Sequence, residues 1–136
     1  MSLILFVHQD ASQKGAKFKK HMEQNFKSPE IEIFQTLNSF KVRLKRVSIY
    51  DKEIFVLLAD SKDRLKELTS LIDLMEGRRI VLILPDNSDH TTSCAHHFFP
   101  RYFTYVNDTY DDLDAVLIKM TKQKKDKQHL NFNGGN

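Results

Sequence analysis

Glu53-Ile54-Phe55-Val56-Leu57-Leu58-Ala59-Asp60 is an unbroken apolar run with an acidic residue at each end, rich in β-branched and aromatic side chains. A strand of that composition is apolar on both faces and must be covered on both. This is the environment of a central strand in a parallel sheet packed between two layers of helices. Leu3 to Val7 and Ile80 to Leu84 have the same character.

Upstream of the central run, Phe18, Met22 and Phe26 repeat every four residues, the stripe of a helix that starts near Ala11. Gly15 allows that helix a close approach, and Lys14, Lys17, Lys19 and Lys20 form its solvated flank. Lys27-Ser28-Pro29-Glu30 breaks it. Ile31 and Ile33 then alternate with Glu32, the pattern of an edge strand with one less buried face. Leu37, Phe40, Leu44 and Val47 mark a second amphipathic helix, with Lys41, Arg43, Lys45 and Arg46 elsewhere on its circumference as a solvated flank.

Downstream, Ser61 is suited to capping a helix whose stripe is Leu65, Leu68, Ile72 and Met75, widened by Leu71 and Leu74 and stopped by Gly77. Pro85-Asp86-Asn87 ends the strand Ile80–Leu84, and residues 88–99 read as a short helix. Tyr102 to Val106 is the fifth strand. Thr109-Tyr110-Asp111-Asp112 opens a last helix carrying Leu113, Val116, Leu117 and Met120. Five strand–helix units with right-handed crossovers and an edge-like second strand predict an α/β fold. It is a three-layer, doubly wound, five-stranded parallel sheet in the order 2-1-3-4-5, as in flavodoxin-like proteins. Residues 1–121 form one domain, and 122–136 read as a polar, Lys-rich then Asn/Gly-rich disordered tail.

The formal net charge is +3, but Lys119, Lys122, Lys124, Lys125 and Lys127 supply that excess near the C-terminus, leaving the body close to neutral. Nucleic acid is therefore not the expected partner, because binders gather basic charge on a folded face. No apolar run is long enough to span a bilayer, and Leu3 to Val7 is too short for a signal peptide. The single Cys94 fits a reducing compartment. A cytoplasmic protein is the expectation.

In layout, Leu3 to about Met120 resembles the receiver domain of bacterial response regulators, with acidic residues after the first and third strands. The resemblance implies an acidic pair and an aspartate that together hold Mg²⁺ and accept a phosphoryl group. It also implies a hydroxyl residue after the fourth strand and a lysine after the fifth. Asp60 stands for the phosphoacceptor, and Asp10 is the remaining acid after the first strand. The acidic-pair positions, however, read His8-Gln9, the fourth strand ends in Leu84-Pro85-Asp86, and the fifth ends in Val106-Asn107-Asp108. Phosphoryl transfer needs a metal and a cation to offset charge on the phosphate oxygens. The resemblance thus implies a degenerate receiver that binds no cofactor and has no enzymatic activity.

Other chemistries are less well supported. His90, Cys94 and His97 share a helical face and are zinc-compatible ligand types, but the chain lacks the paired spacing of a structural zinc site. The body contains only Gly15 and Gly77, so no glycine-rich loop wraps a phosphate. Nucleophilic catalysis at Cys94 lacks a poised base. The basic residues of the first two helices contrast with Asp108, Asp111, Asp112 and Asp114 at the start of the last helix, and opposite charge on separate faces is suited to orienting another protein or a homodimer. The function expected is signalling by protein–protein contact. The alternative is a ligand or metal site in the crevice of His8, Gln9, Asp10, Asp60 and Asn107, or residual phosphorylation of Asp60.

Overall fold

The computed structural model describes residues 2–11, 13–26, 31–46 and 53–132, with side chains as far as Thr121. Its elements are β1 (Ser2–Phe6), α1 (Gln13–Asn25), β2 (Ile31–Phe34), α2 (Leu37–Lys45), β3 (Glu53–Leu58), α3 (Lys62–Thr69), α4 (Ile72–Met75), β4 (Arg79–Leu84), α5 (Asp89–His96), β5 (Tyr102–Tyr105) and α6 (Asp111–Phe132). The five strands are all parallel, in the order β2-β1-β3-β4-β5. The apolar runs dictate this arrangement, because β1, β3 and β4 can bury both faces only by sitting inside the sheet.

Side chains alternate between two cores. On one face, Ile4, Phe6, Phe55, Leu57, Ile80 and Leu82 meet Phe40 and Leu44 of α2, Leu65 and Leu68 of α3, Met75 of α4 and Ala95 of α5. On the other, Leu3, Leu5, Val7, Ile54, Val56 and Ile83 meet Phe18 and Met22 of α1 and Leu113 and Leu117 of α6. The predicted core residues Val7, Phe55, Leu57, Ile80 and Leu82 are all buried. β2 is half-buried throughout, as an edge strand should be.

Three expectations need correction. The helix expected from Ser61 to Met75 is two helices. The hydroxyls of Thr69 and Ser70 donate to the carbonyls of Lys66 and Glu67, and the N–H groups of Ser70 and Leu71 bond three residues back. Hydroxyls that compete for helical carbonyls, together with tightened i→i−3 bonds, end α3 there. Arg43 is not on a solvated flank: it is 4% exposed. Helical spacing puts position 43 beside Phe40 and Leu44, so its guanidinium lies against the sheet and pairs with Glu53 and Glu32. Thirdly, the lysines of α1 and the aspartates of α6 do not lie on separate faces. Both helices cover the same side of the sheet, and His21 Nε2 bonds the Asp114 carboxylate at 2.8 and 2.9 Å.

The backbone of α6 is helical to Phe132, beyond the apolar stripe that ends near Met120. The Lys27–Glu30 break, Val47 and the tail residues 133–136 lie outside the described residues. Gly77 terminates α4 in the left-handed region, with φ +79°, as expected of its role as a stop.

Candidate functional site

In an open α/β sheet the ligand crevice lies at the carboxyl ends of the strands, where the strand order reverses. Here that is between β1 and β3. His8-Gln9-Asp10 follows β1, Asp60 follows β3, Asp86 follows β4 and Asn107 follows β5. The fold therefore brings all the candidate segments to one end of the sheet. Their side chains do not converge.

Main-chain bonds hold the segment after β1: Val7 and Gln9 donate to the carbonyls of Phe34 and Gln35, extending the ladder with β2 past its last strand residue. His8 Nδ1 accepts from the Asp10 N–H at 3.0 Å, closing a tight turn. This leaves the Asp10 carboxylate 77% exposed and nearest to its own neighbour His8. Asp60 is 14% exposed and turned toward α3, where its Oδ1 accepts from Arg64 Nε at 3.1 Å. Arg64 also bonds Glu67 at 2.8 Å, so its guanidinium is fixed from two sides. Ser61, not Asp60, caps α3, accepting from the Arg64 N–H at 3.1 Å. Asp86 is held by α5: Ser88 N–H donates to its Oδ1 at 3.0 Å. Hydrogen bonds from Ser88 and Thr91 bring its carboxyl down to about 2.

The fifth strand ends without a lysine, but a cation still reaches the place. Lys14 of α1 extends its Nζ to 2.7 Å from Asn107 Oδ1. β5 read alone could not reveal this, since the cation comes from an element far away in sequence. The signal available was the run of lysines at the start of α1. Lys14, Lys17, His21, Val106, Asn107 and Tyr110 line a hollow of about 490 Å³ between α1 and the start of α6. Burial raises the Tyr110 hydroxyl above its ordinary value.

These residues do not fit Mg²⁺. One carboxylate faces solvent and the other faces a guanidinium, whereas a magnesium site wants oxygens converging on one point. Among the described residues no group of three or more His, Cys, Asp or Glu side chains is placed to hold a metal ion. The structure does not gather His90, Cys94 and His97 into a ligand set: the two histidines are exposed and Cys94 packs against the core under α5.

At the opposite end of the sheet lies a charge cluster that sequence reasoning missed. Arg43 Nη2 bonds Glu53 and lies 3.3 Å from Glu32, with its guanidinium 6.0 Å from the centre of the Phe55 ring. Arg78 covers the same ring at 5.0 Å and donates to the Leu44 carbonyl at 2.7 Å. Burial by itself would lower the Arg43 pKa, but the hydrogen bonds and charges of Glu53 and Glu32 outweigh it and raise it above the ordinary arginine value. This cluster joins β2, α2 and β3, and its groups are turned inward. Its character is structural.

Among the described residues no helix is long and apolar enough to cross a membrane. No family model matches the chain, and no curated protein or solved structure matches it either.

Proposed function

We propose that this chain is a non-catalytic, receiver-like domain that acts through protein–protein contacts and takes no phosphoryl group at Asp60. The observation that carries the reading is the pairing of Asp60 with Arg64, 3.1 Å apart, while Asp10 turns to solvent. A carboxylate oxygen engaged by a guanidinium is a poor nucleophile, and among the described residues nothing opposite it supplies the metal-holding acids that phosphoryl transfer requires. The cation near β5 is engaged by Asn107. Losing the metal and the free cation costs several kcal/mol of barrier, roughly thousands-fold in rate at about 1.4 kcal/mol per decade. A single cysteine and a near-neutral body fit a cytoplasmic signalling protein.

The experiment is an amide NMR titration with Mg²⁺ and beryllofluoride. The spectrum is expected to stay unchanged at Asp10, Asp60 and Asn107. Saturable shifts there that disappear in Asp60→Asn restore the phosphorylated switch and sink this reading.

A second reading is favoured by one observation, the hollow lined by Lys14 and Lys17, which suits a small anion. Asp108 and Asp111 on its rim oppose the same ligand. Titration with inorganic phosphate separates the readings: saturable shifts confined to Lys14, Lys17 and Asn107 favour the ligand binder.

A further inference from the structure

Phe99 holds a left-handed backbone, with φ 48°, just past the end of α5, a place where glycine is the usual left-handed residue. The proline that follows it would by itself favour an extended conformation. The ring recovers little of that cost from the fold, because the residue is 85% exposed. Strain of this kind collects where a ligand is held.

Phe99 stands beside a hollow of about 490 Å³ at the amino ends of β4 and β5. One wall is α4 and the residue after it, which bring apolar Ile72 and Met75 together with the acids Asp73 and Glu76. The other is the connection from α5 to β5, which brings Phe98 and Phe99 together with the donors His97 and Arg101. Met75 and Phe98 are buried, whereas the four polar side chains are exposed. Between the walls lies Gly77, where an added Cβ would meet nothing within 4 Å. Among the described residues, the side chains of Asp73, Glu76, His97 and Arg101 have no hydrogen-bond or ion-pair partner. Arg78 also lines the hollow, but it is engaged by the Leu44 carbonyl and the Phe55 ring.

We propose that this hollow binds a free α-amino acid with a large apolar side chain. Acids on one wall and a guanidinium on the other oppose any ligand of a single charge, and they suit a zwitterion. The ammonium group goes to Asp73 and Glu76. The carboxylate goes to Arg101, whose planar fork matches it, with His97 as a second donor. The apolar side chain then enters between Met75 and Phe98, and Phe99 lies over it. Small-ligand sites commonly have this size and this mixture of an apolar lining with a few polar groups. The proposal is independent of how Asp60 behaves, since Asp60 lies at the opposite end of the sheet.

Amide NMR titration of the full chain with L-phenylalanine and L-leucine tests it. Saturable shifts are expected at Ile72, Glu76, Phe98 and Arg101 and not at Asp60. Their absence with both amino acids overturns the proposal. Phenylalanine amide, which lacks the carboxylate, and N-acetylphenylalanine, which lacks the ammonium group, should each bind about tenfold more weakly, the order of one charge-assisted hydrogen bond. If either binds as tightly as phenylalanine, the ligand is not a free amino acid and the proposal fails. Arg101→Gln should abolish the preference for phenylalanine over its amide while leaving the melting temperature unchanged. Phe99→Gly separates a ligand contact from a structural one. Glycine relieves the left-handed strain, so this variant should melt higher than the unaltered chain and bind about tenfold more weakly. A lower melting temperature would assign Phe99 to the fold and count against the proposal.

Discussion

A guanidinium that is 4% exposed has lost most of its hydration, and Arg43 replaces that water with Glu53, Glu32 and the face of Phe55. Removing one side of such a pair strands the other in a poor medium. Arg43→Met should therefore destabilise the fold by about 3 kcal/mol, read as a shift of the urea midpoint. Arg43→Met combined with Glu53→Leu should recover part of that loss, since neither charge of that pair is then left alone, while Arg78 loses the Glu53 carboxylate 4.0 Å away and Glu32 loses Arg43. If the double variant is less stable than the single one, the contact of Glu53 with Arg78 outweighs its pairing with Arg43. Asp86 gives a second prediction, with a definite pH window. Its carboxyl titrates at about 2 in the folded chain, below its ordinary 3.8, because the bonds from Ser88 and Thr91 favour the charged form. A depressed folded pKa contributes stability that is complete above the unfolded value and is lost as the pH falls through the folded one. The stability difference between the wild type and Asp86→Ala should hold steady above about pH 5 and narrow between about pH 4 and 2. A difference that widens with acid would reverse the assignment.

Among the elements, α1 is fixed most tightly by one small residue. A Cβ built at Gly15 would lie 2.4 Å from the Ala11 Cβ, 3.5 Å from Val7 and 3.6 Å from Leu58. The contact with Ala11 is far inside van der Waals range, and an alanine methyl has no rotamer by which to escape. In an open helix Gly→Ala stabilises by up to about 1 kcal/mol. Here Gly15→Ala should instead lower the melting temperature, and adding Ala11→Gly should restore it past the wild type by releasing the propensity gain. Failure of the second change to rescue the first would move the obstacle to Val7 or Leu58. The elements also show where a sequence is readable. α2 and α3 were legible from their stripes and from Ser61. The break between α3 and α4 was not, because Leu71, Ile72 and Met75 continue a helical period that two hydroxyl side chains interrupt from outside the stripe.

At the scale of the whole molecule, the strand order was legible because burying β1, β3 and β4 on both faces leaves few arrangements open. The site was legible only in location. The topology of the strands brings His8, Asp10, Asp60 and Asn107 to one end of the sheet, but which way each side chain turns depends on partners from other elements. Arg64 draws Asp60 toward α3, and Lys14 comes to Asn107 from α1. Arg43 was misplaced for the same reason, since a charged residue on the shoulder of a stripe looks alike whether water or a carboxylate awaits it. The pairing of Leu3 with Ile54 has a further consequence for how the chain is made. A ribosome delivers β1, α1 and β2 before β1 has its inner neighbour, so these early segments can do little more than wait for β3 to emerge. Phe18 and Met22 wait longer for their full cover, because Leu113 and Leu117 are synthesised after the other buried residues of that core. The apolar side of α1 thus stays incompletely covered until α6 emerges, and lysines beside such a surface disfavour its association with nascent chains nearby.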